Sequence, residues 1–154
     1  MKIALCCGDG KNYGKDWVGF DVRRTRFPGQ LILADVRLLD GNRFRRADVI
    51  FATPPCQDFS TARIAWKPWK PDLSIVVACL RIGEEAGVPF IMENVAGLQS
   101  LIGPSTAHRG PWHFWGDVGI LPSGDFRKGF QKNQYRIPSK RGDQSASVPK
   151  ELVP

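Results

Sequence analysis

Short apolar runs that end in polar residues recur along the N-terminal part of the chain. Four of them cover residues 2–6, 18–22, 31–34 and 49–52. The second and third runs meet Asp21 and Asp35, and the fourth stops at Thr53-Pro54-Pro55, where proline removes the backbone N–H that a continuing strand needs. The pattern predicts four short strands, each followed by a polar turn.

A helical pattern follows these runs and leads to a fifth strand. Over residues 71–86 apolar side chains recur at helical spacing, with Asp72 near the start and Gly87 just after the end, as is typical of helix termini. Residues 88–92 are again apolar and lead into Glu93-Asn94. Weaker strand patterns cover residues 112–115 and 118–121.

Strands that alternate with helical connections predict an α/β fold with a mostly parallel sheet. The length of 154 residues suits one domain. We expect a folded domain over residues 1–138 and a polar, partly disordered tail over residues 139–154. Ligands of such sheets bind beyond the carboxyl ends of the strands, which is where the polar residues of the pattern accumulate.

The chain is basic, with 22 lysines and arginines against 15 aspartates and glutamates and a formal net charge of +7. The basic residues cluster at residues 23–26, 43–46 and 127–150. This distribution indicates a polyanionic partner such as a nucleic acid. A solvated face is an equally good interpretation of any one cluster.

The four cysteines, Cys6, Cys7, Cys56 and Cys79, lack paired Cys-x-x-Cys spacing and nearby histidines in a ligand pattern. They therefore predict neither a metal site nor a disulfide framework. No stretch approaches the roughly 20 apolar residues of a membrane span. The N-terminus lacks the charged and then apolar pattern of a secretory signal, so we expect reduced thiols, no membrane association and a cytoplasmic location.

Cys56 carries the strongest chemical signal, within Pro54-Pro55-Cys56-Gln57-x-Phe59-Ser60. It follows a predicted buried strand and a proline turn, which would hold its thiol in a fixed direction. A helix that began soon afterwards would favour the thiolate, the form that attacks. A lone cysteine is more often a small buried hydrophobe, so the hypothesis of a nucleophile depends on the surrounding motif.

This segment resembles the Pro-Cys loop of the cytosine-C5 DNA methyltransferase family, and Glu93-Asn94-Val95 resembles a second motif of that family. The resemblance implies a Rossmann-like class I methyltransferase fold and methyl transfer from S-adenosylmethionine to C5 of cytosine. It makes Cys56 the nucleophile that adds to cytosine C6, Glu93 an acid near cytosine N3, and Asn94 a residue that orients the loop. A buried strand end would raise the pKa of Glu93, whereas a solvent-exposed glutamate is the alternative.

The resemblance extends to a cofactor site. Residues 5–10 stand where the family has a glycine-containing turn against the methionine part of the cofactor. Asp21 corresponds to the acidic residue that binds the ribose hydroxyls, and Asp35 to the one that binds the adenine amino group. Each has an alternative role as a helix N-cap or turn aspartate. The predicted cofactor-binding residues are Cys7, Gly8, Gly10, Asp21, Val22, Asp35, Val36 and Pro54.

The family also uses an arginine near its last strands to hold cytosine O2. Arg127 is the first candidate, with Arg109 and Arg136 as alternatives, and a phosphate contact suits all three equally well. The resemblance runs from Lys2 to about Gly97 and leaves no room for a normal target-recognition domain. The chain is most similar to short methyltransferase-like proteins of phage and prophage genomes.

Three functional hypotheses follow. The first is a DNA methyltransferase of relaxed specificity that holds DNA mainly through phosphates. The second is a non-catalytic protein that binds DNA or a partner, and the third is an RNA cytosine-C5 methyltransferase. Cys56 and Glu93 favour an enzyme over the second hypothesis, and a homodimer or partner chain would supply the missing recognition surface.

Overall fold

One seven-stranded sheet forms the centre of the computed structural model, which describes residues 1–60 and 68–120. Its strands are β1 (Lys2–Leu5), β2 (Trp17–Asp21), β3 (Gln30–Leu33), β4 (Val49–Ala52), β5 (Phe90–Val95), β6 (Ala107–Arg109) and β7 (Trp112–Gly116). The spatial order is β3-β2-β1-β4-β5-β7-β6. Strands β1 to β5 pair in parallel, whereas β7 is antiparallel to β5 and to β6. The predicted mostly parallel sheet is confirmed.

The direction of chain progression reverses between β1 and β4. The chain passes from β1 to β2 and β3 on one side, then returns to β4 on the other side of β1. The pairing of β1 with β4 continues one residue past the strand, because the Thr53 N–H donates to the Leu5 carbonyl at 3.0 Å. In open α/β sheets such a switch point leaves a crevice at the carboxyl ends of the two strands, here β1 and β4, where ligands usually bind.

A long helix, α1 (Ser74–Ala86), covers one face of the sheet. It begins three residues later than predicted, where the Asp72 side chain accepts a hydrogen bond from the Ser74 N–H at 2.8 Å. It ends at Gly87, whose φ of +62° suits glycine. The buried side of α1 packs on the inward side chains of β1 and β4 in one hydrophobic cluster, which includes Val76, Cys79, Ile82, Ile3, Leu5 and Ile50.

A smaller cluster covers the opposite face near β1. Its buried members are Ala4, Cys7 and Phe27. Three partly buried side chains pack against them: Tyr13, Trp17 and Leu31. This face is therefore closed by loop residues from both sides of β2.

The connections between the first four strands differ from the expected alternation with helices. The links from β1 to β2 and from β2 to β3 are fully described and contain no helix. The link from β3 to β4 contains two short 3₁₀ helices, Val36–Leu38 and Gly41–Phe44. These turns are capped locally by Asp35 and Asp40, and no α-helix forms in this link.

Two strand predictions near the end of the described chain were wrong. Strand β5 continues to Val95, because β7 pairs beside its last residues and matches Glu93 with Phe114. Of the strand predicted over residues 118–121, Val118–Ile120 is a 3₁₀ turn, and Leu121 lies outside the described residues. Asp117 precedes this turn and bonds back to Phe90, with its N–H donating at 2.7 Å and its carboxylate accepting at 3.0 Å.

In the described ranges, no helix has the length and apolar character needed to cross a membrane. The same residues contain no group of three histidine, cysteine, aspartate or glutamate side chains placed to hold a metal ion. The tail predicted over residues 139–154 lies outside the described residues.

Candidate active site

Cys56 lies in an exposed turn just beyond β4. It starts a three-residue 3₁₀ helix, Gln57–Phe59, and its carbonyl accepts from the Phe59 N–H at 3.0 Å. The Phe59 side chain is fully buried and anchors the turn in the core. A single 3₁₀ turn directly follows Cys56, and residues 61–67 lie outside the described residues. A helix that begins soon after Cys56 and favours its thiolate therefore stays a prediction.

Neighbouring strands hold the residues that precede Cys56. The Thr53 hydroxyl donates to the Cys6 carbonyl of β1's turn at 2.8 Å. From β5, the buried Asn94 side chain donates through Nδ2 to the Pro54 carbonyl at 3.0 Å. Its Oδ1 accepts from the Val95 N–H at 2.9 Å, so Asn94 itself is fixed. The structure thus brings Pro54 and Asn94 together.

The residues after Cys56 are tied to the start of α1. The Trp69 indole donates through Nε1 to the Asp58 carbonyl at 2.7 Å. The Asp58 carboxylate accepts from the Asp72 N–H at 3.2 Å. Since Asp72 also accepts from the Ser74 N–H at the start of α1, the turn that carries Cys56 and the start of the helix form one hydrogen-bonded unit.

Glu93 precedes Asn94 on β5 and is half-buried. Burial raises the pKa of its carboxyl, because the charged form loses hydration. This is the direction expected from the sequence. A carboxyl of raised pKa retains its proton at a higher pH and can donate it in a hydrogen bond.

Asp21 joins the turn after β1 to the end of β2. Its buried carboxylate accepts from the Gly8 N–H at 3.0 Å through one oxygen and from the Arg23 N–H at 2.9 Å through the other. Gly8 has a φ of +52°, and a side chain at this position would meet open space. A carboxylate has about four lone-pair sites, so Asp21 retains acceptor capacity for a ligand beside Gly8.

Cys7 and Gly10 have packing roles within the same turn. Burial, followed by the nearby Asp21, raises the pKa of the Cys7 thiol to about 11, which keeps it neutral. A side chain at Gly10 would collide with the Phe27 ring, and its φ is +58°. Close packing by itself accounts for these two residue types.

The three other predicted cofactor-binding residues, Asp35, Val36 and Val22, lie in different environments. Asp35 caps the turn after β3 by accepting from the Arg37 N–H at 3.0 Å, and its carboxylate pairs with the Arg37 guanidinium at 2.6 Å. This guanidinium holds the pKa of Asp35 below its usual value. Val36 is buried in the main core, whereas Val22 has 64% of its surface exposed beside Asp21.

Of the three candidate arginines, Arg109 is the one within the described residues. It lies on β6 opposite Trp112 of β7, which in turn lies opposite Val95 of β5. Arg127 and Arg136 lie outside the described residues.

Sequence reasoning missed two residues of this region. Thr53 directly precedes the recognised Pro-Cys segment, so its position could have indicated its role. Tyr13 reaches the crevice from the loop after β1, where its ring lies 6.2 Å from that of Phe51 on β4. No local pattern signals such a contact, because it joins residues far apart in the chain.

The chain is similar to proteins of one known family. The model of the C-5 cytosine-specific DNA methylase family matches residues 19–103. No curated protein matches the chain. Among solved structures, it is similar to a DNMT2 mutant from Spodoptera frugiperda, with 23% identity, a TM-score of 0.41, and coverage of 64% of this chain and 37% of that chain. For the methyltransferase EhMeth of Entamoeba histolytica the identity is 12%, the TM-score 0.44, and the coverage 64% and 39%.

The chain spans less than two fifths of the length of these two structures. The family match confirms the Rossmann-like methyltransferase fold and S-adenosylmethionine as the cofactor that such enzymes use. Since this match covers more than half of the 154 residues, the chain belongs to the C-5 cytosine-specific DNA methylase family.

Proposed function

We propose that this chain is the catalytic domain of a DNA cytosine-C5 methyltransferase with Cys56 as its nucleophile. One observation carries the proposal: Asn94 on β5 bonds to the Pro54 carbonyl. This bond places the strand that carries Glu93 beside the turn that carries the exposed Cys56 thiol. A nucleophile and an acid on adjacent strand ends are what activation of cytosine needs.

The chemistry of the residues at the switch point fits S-adenosylmethionine. The spare acceptor sites of Asp21 suit the ribose hydroxyls, and the open space at Gly8 lets a ligand approach the backbone closely. The exposed Val22 adds an apolar surface beside them. When bound, S-adenosylmethionine supplies an electrophilic methyl group.

Cys56 and Glu93 would divide the activation of cytosine between them. The Cys56 sulfur forms a bond to C6, and the electrons of the C5–C6 double bond move toward C5 and N3. Glu93 donates a hydrogen bond at N3 and so stabilises the charge that develops there. C5 would then take the methyl group, leaving S-adenosylhomocysteine. Water would accept the C5 proton, and the C–H electrons would re-form the C5–C6 double bond as the sulfur–C6 bond breaks and releases the Cys56 thiolate.

The test is methyl transfer from isotopically labelled S-adenosylmethionine to mixed-sequence duplex DNA, with structured RNA as a parallel substrate. We expect labelled 5-methylcytosine in DNA by mass spectrometry, and none with Cys56→Ser, whose hydroxyl is a much weaker nucleophile. Affinity for the cofactor should stay unchanged in this variant. Cys79→Ala, which removes a buried thiol of α1, is the matched control and should retain transfer.

A second readout addresses the covalent step. Duplex DNA containing 5-fluorocytosine lacks the C5 proton that must leave, so the protein should remain attached to it, and Cys56→Ser should not. Turnover by Cys56→Ser would contradict the mechanism. Methyl transfer to RNA and not to DNA would mean that RNA is the substrate. Cofactor binding without methyl transfer to DNA or RNA would favour a non-catalytic binding protein.

A further inference from the structure

Tyr13 is held rigidly in the loop between β1 and β2. Its ring lies 4.9 Å from that of Trp17, 5.4 Å from that of Phe27 and 6.2 Å from that of Phe51. Its N–H donates to the Gly10 carbonyl at 2.9 Å. These contacts join Tyr13 to β2, β4 and the turn after β1, so its hydroxyl has a fixed position.

That hydroxyl is buried and has no hydrogen-bond partner among residues 1–60 and 68–120. Most buried polar groups are paired, and an unpaired one loses the hydrogen bonds that water would provide. The Thr53 side chain is close enough to lower the pKa of Tyr13, yet the two groups do not reach hydrogen-bond geometry. Burial has the larger effect and raises the pKa of Tyr13, so the phenol stays protonated and can donate.

The surroundings of the phenol lie at the carboxyl ends of the strands. Tyr13 packs against the cluster that contains Cys7, just beyond β1, and the groups that affect its pKa are Thr53 beyond β4, Cys6 and Cys7 beyond β1, and Glu93 on β5. All four lie at the carboxyl ends of their strands, on the two sides of the topological switch point. An unpaired donor at this position faces the place where ligands bind in such sheets.

We propose that Tyr13 is a further cofactor-binding residue, whose buried hydroxyl donates a hydrogen bond to a polar atom of bound S-adenosylmethionine. This inference rests on the proposed function, because it assumes that the crevice binds that cofactor. The hydroxyl has no partner among the described residues of the free protein and gains one on binding. Removal of the hydroxyl should therefore raise the stability of the free protein and lower its affinity for the cofactor.

The experiment compares Tyr13→Phe with the unmodified chain. Titration calorimetry with S-adenosylhomocysteine should show binding weakened about three- to tenfold, as for loss of one neutral hydrogen bond. The melting temperature of the free protein should rise by about 2–4 °C, since the unpaired buried hydroxyl is gone. Thr25→Val is the matched control: Thr25 carries the other buried unpaired hydroxyl, and its removal should raise the melting temperature without changing affinity.

A second measurement needs no change at Tyr13. The chain has two tyrosines, so a Tyr135→Phe background leaves Tyr13 as the single tyrosine. With the ring ζ-carbon labelled, its nuclear magnetic resonance signal should shift when S-adenosylhomocysteine saturates the protein. Equal affinity of Tyr13→Phe, or an unchanged signal at saturation, overturns the role of Tyr13 alone. Absence of binding to the folded unmodified chain overturns the proposed function as well.

Discussion

Single polar side chains connect the strand ends that build the candidate site. Asp21 joins β2 to Gly8, Thr53 joins β4 to the Cys6 carbonyl, and Asn94 joins β5 to Pro54. Each bond crosses from one strand to the turn after another, so each residue positions its neighbours. A substitution at any of them should change structure and function together, which makes variants at Glu93 more informative about chemistry.

We predict that Glu93→Gln abolishes methyl transfer and stabilises the protein at neutral pH. Burial raises the pKa of Glu93 above the ordinary value of 4.5, so the folded state holds this proton more tightly than the unfolded state. The stability from Glu93 is thus fully present below pH 4.5 and is lost as the pH rises through the folded pKa. Glu93→Gln should therefore become more stable than the unmodified chain as the pH rises through the pKa of Glu93 in the folded protein.

Thermal unfolding from pH 4 to pH 8 measures this difference. Glu84→Gln is the control, since Glu84 is exposed on α1, and its effect should stay within about 0.5 kcal/mol. A stability advantage of Glu93→Gln that is constant with pH would rule out the protonation of Glu93 as its cause.

At the scale of elements, the contact between α1 and β5 determines where the strand that carries Glu93 lies. Gly83 of α1 faces Phe90 at the start of β5, and a Cβ at position 83 would lie 2.6 Å from its ring. The helix can approach β5 this closely because Gly83 has no side chain. Glu93 and Asn94 of β5 then lie beside the turn that carries Cys56.

Gly83→Ala should therefore destabilise the protein although alanine is the better helix former. The gain in helix propensity is about 1 kcal/mol, whereas overpacking of a core contact costs about 1–3 kcal/mol. Urea unfolding should show a net loss, and methyl transfer should fall more than cofactor affinity, because Asp21 and Gly8 lie away from this contact. Glu84→Ala tests helix propensity alone and should be nearly neutral. A more stable Gly83→Ala would contradict the close contact.

At the scale of the whole molecule, exposed arginines lie at both ends of the parallel strands. Arg23 and Arg24 follow β2 at the carboxyl ends of the strands, beside the candidate site. Arg43 and Arg45 precede β4 and so lie at the amino ends. With a net charge of +7, the chain should attract nucleic acid generally, but phosphates near the target cytosine should contact only the first pair.

The double variant Arg23→Gln/Arg24→Gln should weaken duplex DNA binding and reduce its dependence on salt. Each lost phosphate contact should lower the slope of log affinity against log salt by about 0.9. Fluorescence anisotropy at several salt concentrations measures this slope. Arg43→Gln/Arg45→Gln removes the same charge at the amino ends of the strands and should leave the slope nearly unchanged. Equal losses in both double variants would mean that the attraction is general rather than local.

Prediction from sequence succeeded where the signal lies within one segment. The five parallel strands and the long helix follow from apolar spacing, and the family follows from two contiguous motifs, those around Cys56 and Glu93. It was less successful where a neighbour in space changes the outcome. β5 extends through Val95 because β7 lies beside it, and residues 118–120 turn because Asp117 bonds back to Phe90.

The sequence by itself determined the mostly parallel sheet, the family, and the location of polar residues at the carboxyl ends of the strands. These depend on local periodicity and on short motifs, which a chain carries regardless of its long-range contacts. Only the tertiary structure decided that Asn94 holds the Pro-Cys turn, that Cys7 is a packing residue, and that the buried Tyr13 hydroxyl has no partner in the part of the chain that the structure describes. Those properties arise when residues distant in the chain meet and exclude water.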